Sequence, residues 1–258
     1  MFKIVFIGAG NVATQIATTL QKIGMNICQI YSRTENSAST LGKLLNIPYT
    51  TDKTKVIGTA DVYFCCVKDS EIENALNSIS FNNGLLVHTA GSVPIEVLQS
   101  FSENVGVFYP LQTLSKEKKI EWKKIPLYLE ANTPDNIYKL HQIAEKISDC
   151  VFDINSEQRG KIHLAAVFCS NFVNHLYTLS DELLTESGFK FQQLIPLIEE
   201  TTEKVKTLSP IEAQTGPAVR FDENIINKHL NILRKQPDQK AEIYSLLSKS
   251  IYEKHHIQ

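Results

Sequence analysis

The sequence predicts an α/β fold in two parts: an N-terminal, mostly parallel sheet wound on both faces by helices, then a C-terminal part built only from helices. Three observations carry this. Apolar runs of strand length alternate with helical patterns through about the first 150 residues. Some runs, such as 62–67, are continuously apolar, the pattern of strands covered on both faces. After Ile154 strand-like runs stop and long helical patterns take over. A chain of 258 residues accommodates two domains, and a boundary near Asn155 divides it into 1–154 and 155–258.

The first strand is expected at Lys3–Ile7, followed by a helix over 12–23 that Gly24 stops. Asn26–Tyr31 is the second strand and 38–45 the second helix. Asp61 precedes the strand 62–67, and 69–79 reads as the next helix. Leu85–His88 is another strand, after which Ser92 and Pro94 mark a helix start. Strands at 105–109, 127–130 and 151–154 complete the sheet, with a helix over 134–148 between the last two. Helices are expected over 156–186, 191–208, 222–233 and 238–253.

Composition narrows the function. Lys plus Arg total 26 against 28 acidic residues, so no global field draws nucleic acid or an anionic membrane. No apolar run reaches the ~20 residues of a membrane span, and the N-terminal run lacks a basic leader. The five cysteines lie in apolar runs without a CxxC pair, which predicts buried, reduced thiols and a cytoplasmic protein. No three ligands stand at metal-like spacing, so no metal site is expected.

The first strand runs into Gly8-Ala9-Gly10-Asn11-Val12-Ala13, a GxGxxA pattern that opens a helix. Gly8 permits the tight turn. Gly10 lets the backbone approach a pyrophosphate, which the helix N-terminus attracts, and Ala13 lets helix and strand pack closely. Strand, glycine loop and helix in one βαβ unit make this a Rossmann dinucleotide-binding domain, with Gly8, Gly10, Asn11 and Val12 as its phosphate loop. The second strand ends in Tyr31-Ser32-Arg33-Thr34, with no carboxylate at its tip. An NAD or S-adenosylmethionine site usually carries an acid there for the ribose hydroxyls. Ser32, Arg33 and Thr34 instead offer the cation and hydroxyls that a 2′-phosphate needs, which favours NADP. At the end of the next strand, Val67 and Lys68 are either cofactor neighbours or part of an ordinary turn.

Substrate candidates are fewer. His88 follows a strand toward the nicotinamide end, where it either donates to a carbonyl or bonds the backbone. Gln112 and Thr113 face the same crevice, as polar contacts or as part of a proline-fixed turn. At about 100° per residue, His163, Ser170, Asn171 and Asn174 share one face of an otherwise apolar helix. Such a stripe lines a wet cleft or joins helices or subunits. Arg220, in the turn TGPAVR, either binds an anionic substrate group or pairs with a carboxylate such as Asp222.

GAGNVA, the SRT turn, HTAGS, YPLQT, HLAAVFCSNFVNHL and TGPAVR occur in one order along nearly the whole chain. Together they resemble the Rossmann-like NADP oxidoreductase family, which has no settled substrate. Its helical C-terminal domain is similar to those of pyrroline-5-carboxylate reductase and the 6-phosphogluconate dehydrogenase-like enzymes. Two departures stand out. The β-hydroxyacid dehydrogenases place a lysine four residues before a helix asparagine; with Asn171 as that asparagine, the position holds Val167. Tyr109 stands where the family often has histidine. Similar reductases dimerise through helical domains, so the resemblance implies a homodimer.

The expected function is NADPH-dependent reduction of a small carbonyl or imine, with His88, His163 and Asn171 as polarising or proton-donating groups. Gln112, Ser170, Asn174 and Arg220 are the expected substrate contacts. The competing expectation is a non-catalytic NADP-binding sensor or assembly module, which the missing lysine favours. A methyltransferase is disfavoured by Ser32 in the acid's place.

Overall fold

The computed structural model describes residues 2–256. Eight strands form one sheet: β1 (Lys3–Ile7), β2 (Asn26–Tyr31), β3 (Tyr49–Thr50), β4 (Val62–Cys65), β5 (Leu85–His88), β6 (Val105–Pro110), β7 (Leu127–Ala131) and β8 (Val151–Asp153). Their spatial order is β3-β2-β1-β4-β5-β6-β7-β8. Every pairing is parallel except β6 with β7. The order reverses between β1 and β4, so the crevice beyond their C-terminal ends is the natural ligand position of this topology.

The continuous apolar runs have a simple cause. Alternate residues of each strand enter two different cores. Ile4, Phe6, Phe64, Val87 and Phe108 pack on one face with α1 (Asn11–Lys22), α2 (Glu35–Leu45) and α4 (Pro134–Ala144). Val5, Ile7, Tyr63, Cys65 and Leu86 pack on the other with Ile72 and Leu76 of α3 (Ile72–Leu76). The first core is aromatic at its centre: Phe6 stacks on Phe64 at 5.1 Å, and Phe64 meets Phe108 edge-on at 5.4 Å.

Local differences from the expected elements have local reasons. The two-residue edge strand β3 is too short to show a strand pattern. The helix expected over 69–79 is a 3₁₀ turn, Asp69–Glu71, then α3, because Asn77 turns extended and Ser78 takes a φ of 71°. After Pro94 comes only a 3₁₀ turn, Ile95–Leu98. The region 191–208 begins as a 3₁₀ turn, Phe191–Leu194, before α7 (Ile195–Lys204). The long helix over 156–186 is not uniform: α5 (Ser156–Ala166) leads into a π-helical stretch, Val167–Phe172, and α6 (Val173–Glu186). A π stretch turns less per residue than an α-helix, so the 100° spacing that aligned the polar stripe does not hold through it. Cysteines also depart from expectation: Cys65 and Cys66 are buried, Cys28 and Cys150 only half-buried, and Cys169 exposed. An apolar run on a helix with an outward face does not bury every member.

The chain divides after Asn171 into two compact units. The first holds the sheet, its helices, α5 and most of the π stretch. The second holds α6, α7, α8 (Pro210–Ala213), α9 (Glu223–Leu233) and α10 (Lys240–His256). Its buried apolar residues are few (Ala218, Leu230 and Leu233), while Leu197 and Leu246 stand 64% and 70% exposed. No helix among the described residues is long and apolar enough to cross a membrane.

Candidate functional site

The turn after β1 is specified by backbone geometry. Gly8 has a φ of 104°, and a Cβ there would lie 2.3 Å from the Cys66 carbonyl oxygen, so no side chain fits. Gly8 N–H donates to the Tyr31 carbonyl at 2.8 Å, tying the loop to the end of β2. Gly10 is different: a Cβ there would meet nothing within 4 Å. Gly10 is the N-cap of α1, no side chain caps that end, and the first turn carries no acid. The first N–H groups of α1 are therefore left for an external anion, with open space in front of them. This geometry fits a dinucleotide pyrophosphate.

A crevice of about 760 Å³ lies over this loop. Gly8, Gly10, Asn11 and Val12 after β1, Ser32, Arg33 and Thr34 after β2, and Val67 and Lys68 after β4 all line it. The structure thus gathers all the residues expected to hold a dinucleotide. It adds residues that sequence patterns did not reveal, among them Lys53, Glu71, Asn74 and Lys116. Glu71 and Asn74 come from the 3₁₀ turn and α3 just after Lys68, Lys53 from a 3₁₀ turn after β3, and Lys116 from the β6–β7 connection, where a lone lysine has no local signature. Arg33 is held by Glu71, Nη1 to Oε2 at 3.2 Å, and Asn74 donates to the same carboxylate at 3.3 Å. The Thr34 hydroxyl lies 2.9 Å from that of Ser37. This end of the crevice carries Arg33 and Lys53, with the Glu71 carboxylate as counter-ion. Cys66 also lines the crevice, but burial pushes its thiol up to about 12, so it is inert as a nucleophile at neutral pH.

The remaining candidates lie elsewhere. His88 is fully buried. Its Nδ1 accepts the Ala90 N–H at 3.2 Å, so the ring proton sits on Nε2. Nε2 lies near the Pro94 backbone without a partner in full hydrogen-bond geometry. Burial first, and then the charge of Arg159, hold its pKa down to about 3. The His88 ring is thus a neutral group beneath the site.

His163 is half-buried on α5, and its Nδ1 lies 3.0 Å from the Tyr109 hydroxyl oxygen at the end of β6. The two rings meet edge-on at 6.0 Å. Gly91 makes this possible: a Cβ there would sit 2.5 Å from His163 Nδ1 and 2.9 Å from Tyr109 Cζ. HTAGS, YPLQT and α5 therefore converge on one polar pair, although nothing local in the sequence coupled Tyr109 to His163. Burial raises the Tyr109 pKa above its ordinary 10.0.

Arg159, one turn before His163, is 1% exposed and forms an ion pair with Glu130 of β7. It also donates to the Val93 carbonyl, and to the Ser156 hydroxyl at 3.1 Å. Glu130 in turn accepts from Ser156 N–H at 2.9 Å. This buried network fixes the start of α5, and hence His163, against the sheet. A charge so enclosed must be paired, but its partners are 29 and 66 residues away in sequence.

Gln112 is exposed and folds back on its own loop, accepting from Thr113 N–H at 2.8 Å. Ser170 is half-buried and Asn171 exposed, both in the π stretch. Asn174, exposed on α6, and Arg220, exposed in the turn before α9, belong to the second unit. Arg220 makes no ion pair among the described residues; Asp222 instead caps α9, accepting from Ile225 N–H at 3.2 Å. Among the described residues no group of three His, Cys, Asp or Glu side chains is placed to hold a metal ion.

Comparison with known proteins agrees with this geometry. Residues 3–91 match the family model described as NADP oxidoreductase coenzyme F420-dependent, and 125–251 match a domain of unknown function, DUF2520. A comparison with curated proteins finds no match. Among solved structures, a "putative NADP oxidoreductase" from Bacteroides fragilis is 44% identical, with 98% of each chain covered and a TM-score of 0.90. A protein from Thermotoga maritima is 24% identical over 98% of each chain, TM-score 0.73, and shares the fold. So does the 1-pyrroline-5-carboxylate reductase of Streptococcus pyogenes, 15% identical over 98% of each chain, TM-score 0.63. The identity and coverage of the first of these structures, together with the glycine loop, show that the chain belongs to the Rossmann-like NADP oxidoreductase family.

Proposed function

We propose that this oxidoreductase reduces a small carbonyl or imine with NADPH. The observation that carries the reading is the crevice itself: an uncapped, acid-free helix N-terminus behind Gly10, with Ser32, Arg33 and Thr34 at the tip of β2 where an acid would serve NAD. Asn11 and Val12 hold the pyrophosphate by their backbone N–H groups. Arg33 turns from Glu71 to the 2′-phosphate, with the Ser32 and Thr34 hydroxyls beside it. NADPH, when bound, supplies the hydride.

The Tyr109–His163 pair delivers the proton, in the role of the lysine that Val167 replaces. When Nδ1 accepts the phenol proton, Nε2–H of His163 is the free donor; in the other tautomer the Tyr109 hydroxyl is. An imine, already protonated, needs little more. His88, neutral and enclosed, positions the HTAGS loop through Ala90 rather than acting as an acid. Asn171 and Ser170 orient substrate beside His163, with Gln112 as an outer contact.

In this reading a homodimer forms through the helical unit, whose exposed Leu197, Ile232, Leu246 and Leu247 are more apolar surface than a lone unit of this size normally presents. The protein acts in the cytoplasm. The competing reading, an NADP-holding sensor without chemistry, draws on Val167 at the position where the related dehydrogenases have their lysine.

The first experiment is calorimetric titration with NADPH, NADP, NADH and S-adenosylmethionine, followed by turnover of a carbonyl and imine panel. Binding of the phosphorylated dinucleotides alone supports the cofactor assignment. Turnover of any panel member eliminates the sensor, and binding of none of the four ligands removes the basis of the proposal.

A further inference from the structure

Gln15 is a buried polar residue on α1, one turn beyond the phosphate loop, and the dinucleotide assignment leaves it without a task. Its side-chain amide reaches into the segment that joins β6 to β7, donating to the carbonyls of Ser115, of Lys116 at 3.4 Å and of Lys118 at 3.0 Å. Three backbone acceptors converging on one amide hold this polar loop against α1, where it would otherwise range over the surface. The clamp has a consequence for the crevice. It places Lys116 in the same wall as Gly10, Asn11 and Val12, more than 100 residues away in sequence. Lys116 is exposed and has no ion pair among the described residues. Near it are the free N–H groups of the α1 terminus and no acid in the first turn. The crevice's acid, Glu71, is already engaged with Arg33.

From this geometry we infer that Lys116 is a cofactor-binding residue: its ammonium binds the pyrophosphate of the dinucleotide beside the α1 N-terminus, and Gln15 is the positioning residue that holds it there. A diphosphate carries more charge than one helix end neutralises, and an ammonium beside that end supplies the remainder. The inference rests on the NADP reading and concerns only the diphosphate part. Arg33 serves the 2′-phosphate, Lys116 the bridge between the two halves.

The test uses two probes: NADPH, and adenosine 2′-phosphate, which keeps the 2′-phosphate but lacks the pyrophosphate. Kd values come from NADPH fluorescence and from its displacement by the nucleotide. Lys116→Met, at an exposed position where folding is not at risk, is expected to weaken NADPH about tenfold. Its NADPH affinity should also fall less steeply with salt, while adenosine 2′-phosphate is unchanged. Lys116→Arg should restore NADPH binding, and Gln15→Met should reproduce the selective loss in a chain that melts cooperatively. Arg33→Ala, by contrast, weakens both probes. Unchanged NADPH affinity in Lys116→Met, or equal losses on both probes, overturns the inference while leaving the Arg33 assignment standing. Failure of the unaltered protein to bind NADPH removes the cofactor reading and this inference with it.

Discussion

Replacement of Arg33 by Ala is the sharpest test of the cofactor assignment. Its side chain is 76% exposed and paired with Glu71 at 3.2 Å, so it is free to turn without unpacking any core. Two charge-assisted hydrogen bonds to a 2′-phosphate contribute roughly 1.5 kcal/mol each at the low end, which suits so exposed a group. Surrendering the ion pair with Glu71 takes back at most about 1 kcal/mol, as exposed pairs do. The net of about 2 kcal/mol corresponds to a ~30-fold loss of NADPH affinity. NADH has no phosphate at that position, and its affinity should change less than about threefold, so titration of both cofactors measures the difference directly. The loss should shrink at high salt, since both partners are solvent-exposed. Equal losses for NADPH and NADH would refute the reasoning, because the arginine would then be acting on the shared part of the dinucleotide.

Three further outcomes are expected. Gly8→Ala drives a Cβ to 2.3 Å from the Cys66 carbonyl in a backbone with a φ of 104°, and should lower stability by roughly 2 kcal/mol or more and abolish NADPH binding; an unchanged melting temperature would contradict the turn geometry. His88, depressed from 6.5 to about 3 by burial, is neutral in the folded chain and protonates first in the unfolded one, so its contribution is present above pH 6.5 and lost as pH falls. About 2 kcal/mol should disappear by pH 5 relative to pH 8, and a His88→Gln chain should show a flatter melting profile. His141 is the opposite case: burial works to lower its pKa, but hydrogen bonds to Glu145 at 2.9 Å and Asp153 at 2.7 Å outweigh this and raise it above 6.5. Its contribution is therefore present below pH 6.5 and lost as pH rises through the raised folded value. His141→Gln should melt lower than the parent at pH 6 with a smaller difference at pH 9, and an equal difference at both values would refute the pairing.

Much of the first unit was legible because its instructions are local. A glycine that must adopt φ 104°, a run such as Val62–Cys65 that feeds two cores, and a β2 tip without an acid are all visible within a few residues of chain. The family resemblance was legible for the same reason, since its motifs are contiguous. Elements with marginal local signals were read less well: α3 was drawn too long, β3 was missed, and the π stretch was taken as plain helix because hydrophobic periodicity does not register one inserted residue.

The sequence by itself determined most of the sheet, the glycine turn after β1 and the acid-free tip of β2, because strand burial, glycine dihedrals and helix starts are decided by neighbours in the chain. The tertiary structure alone decided what surrounds them. It set Glu71 against Arg33, Tyr109 against His163 over Gly91, the Arg159–Glu130 pair beneath α5, and Lys116 into the crevice wall by way of Gln15. It also turned His88 from a candidate acid into an enclosed neutral ring. These meetings bring together groups remote in sequence, and the burial and charge at such points do not exist until the chain has folded.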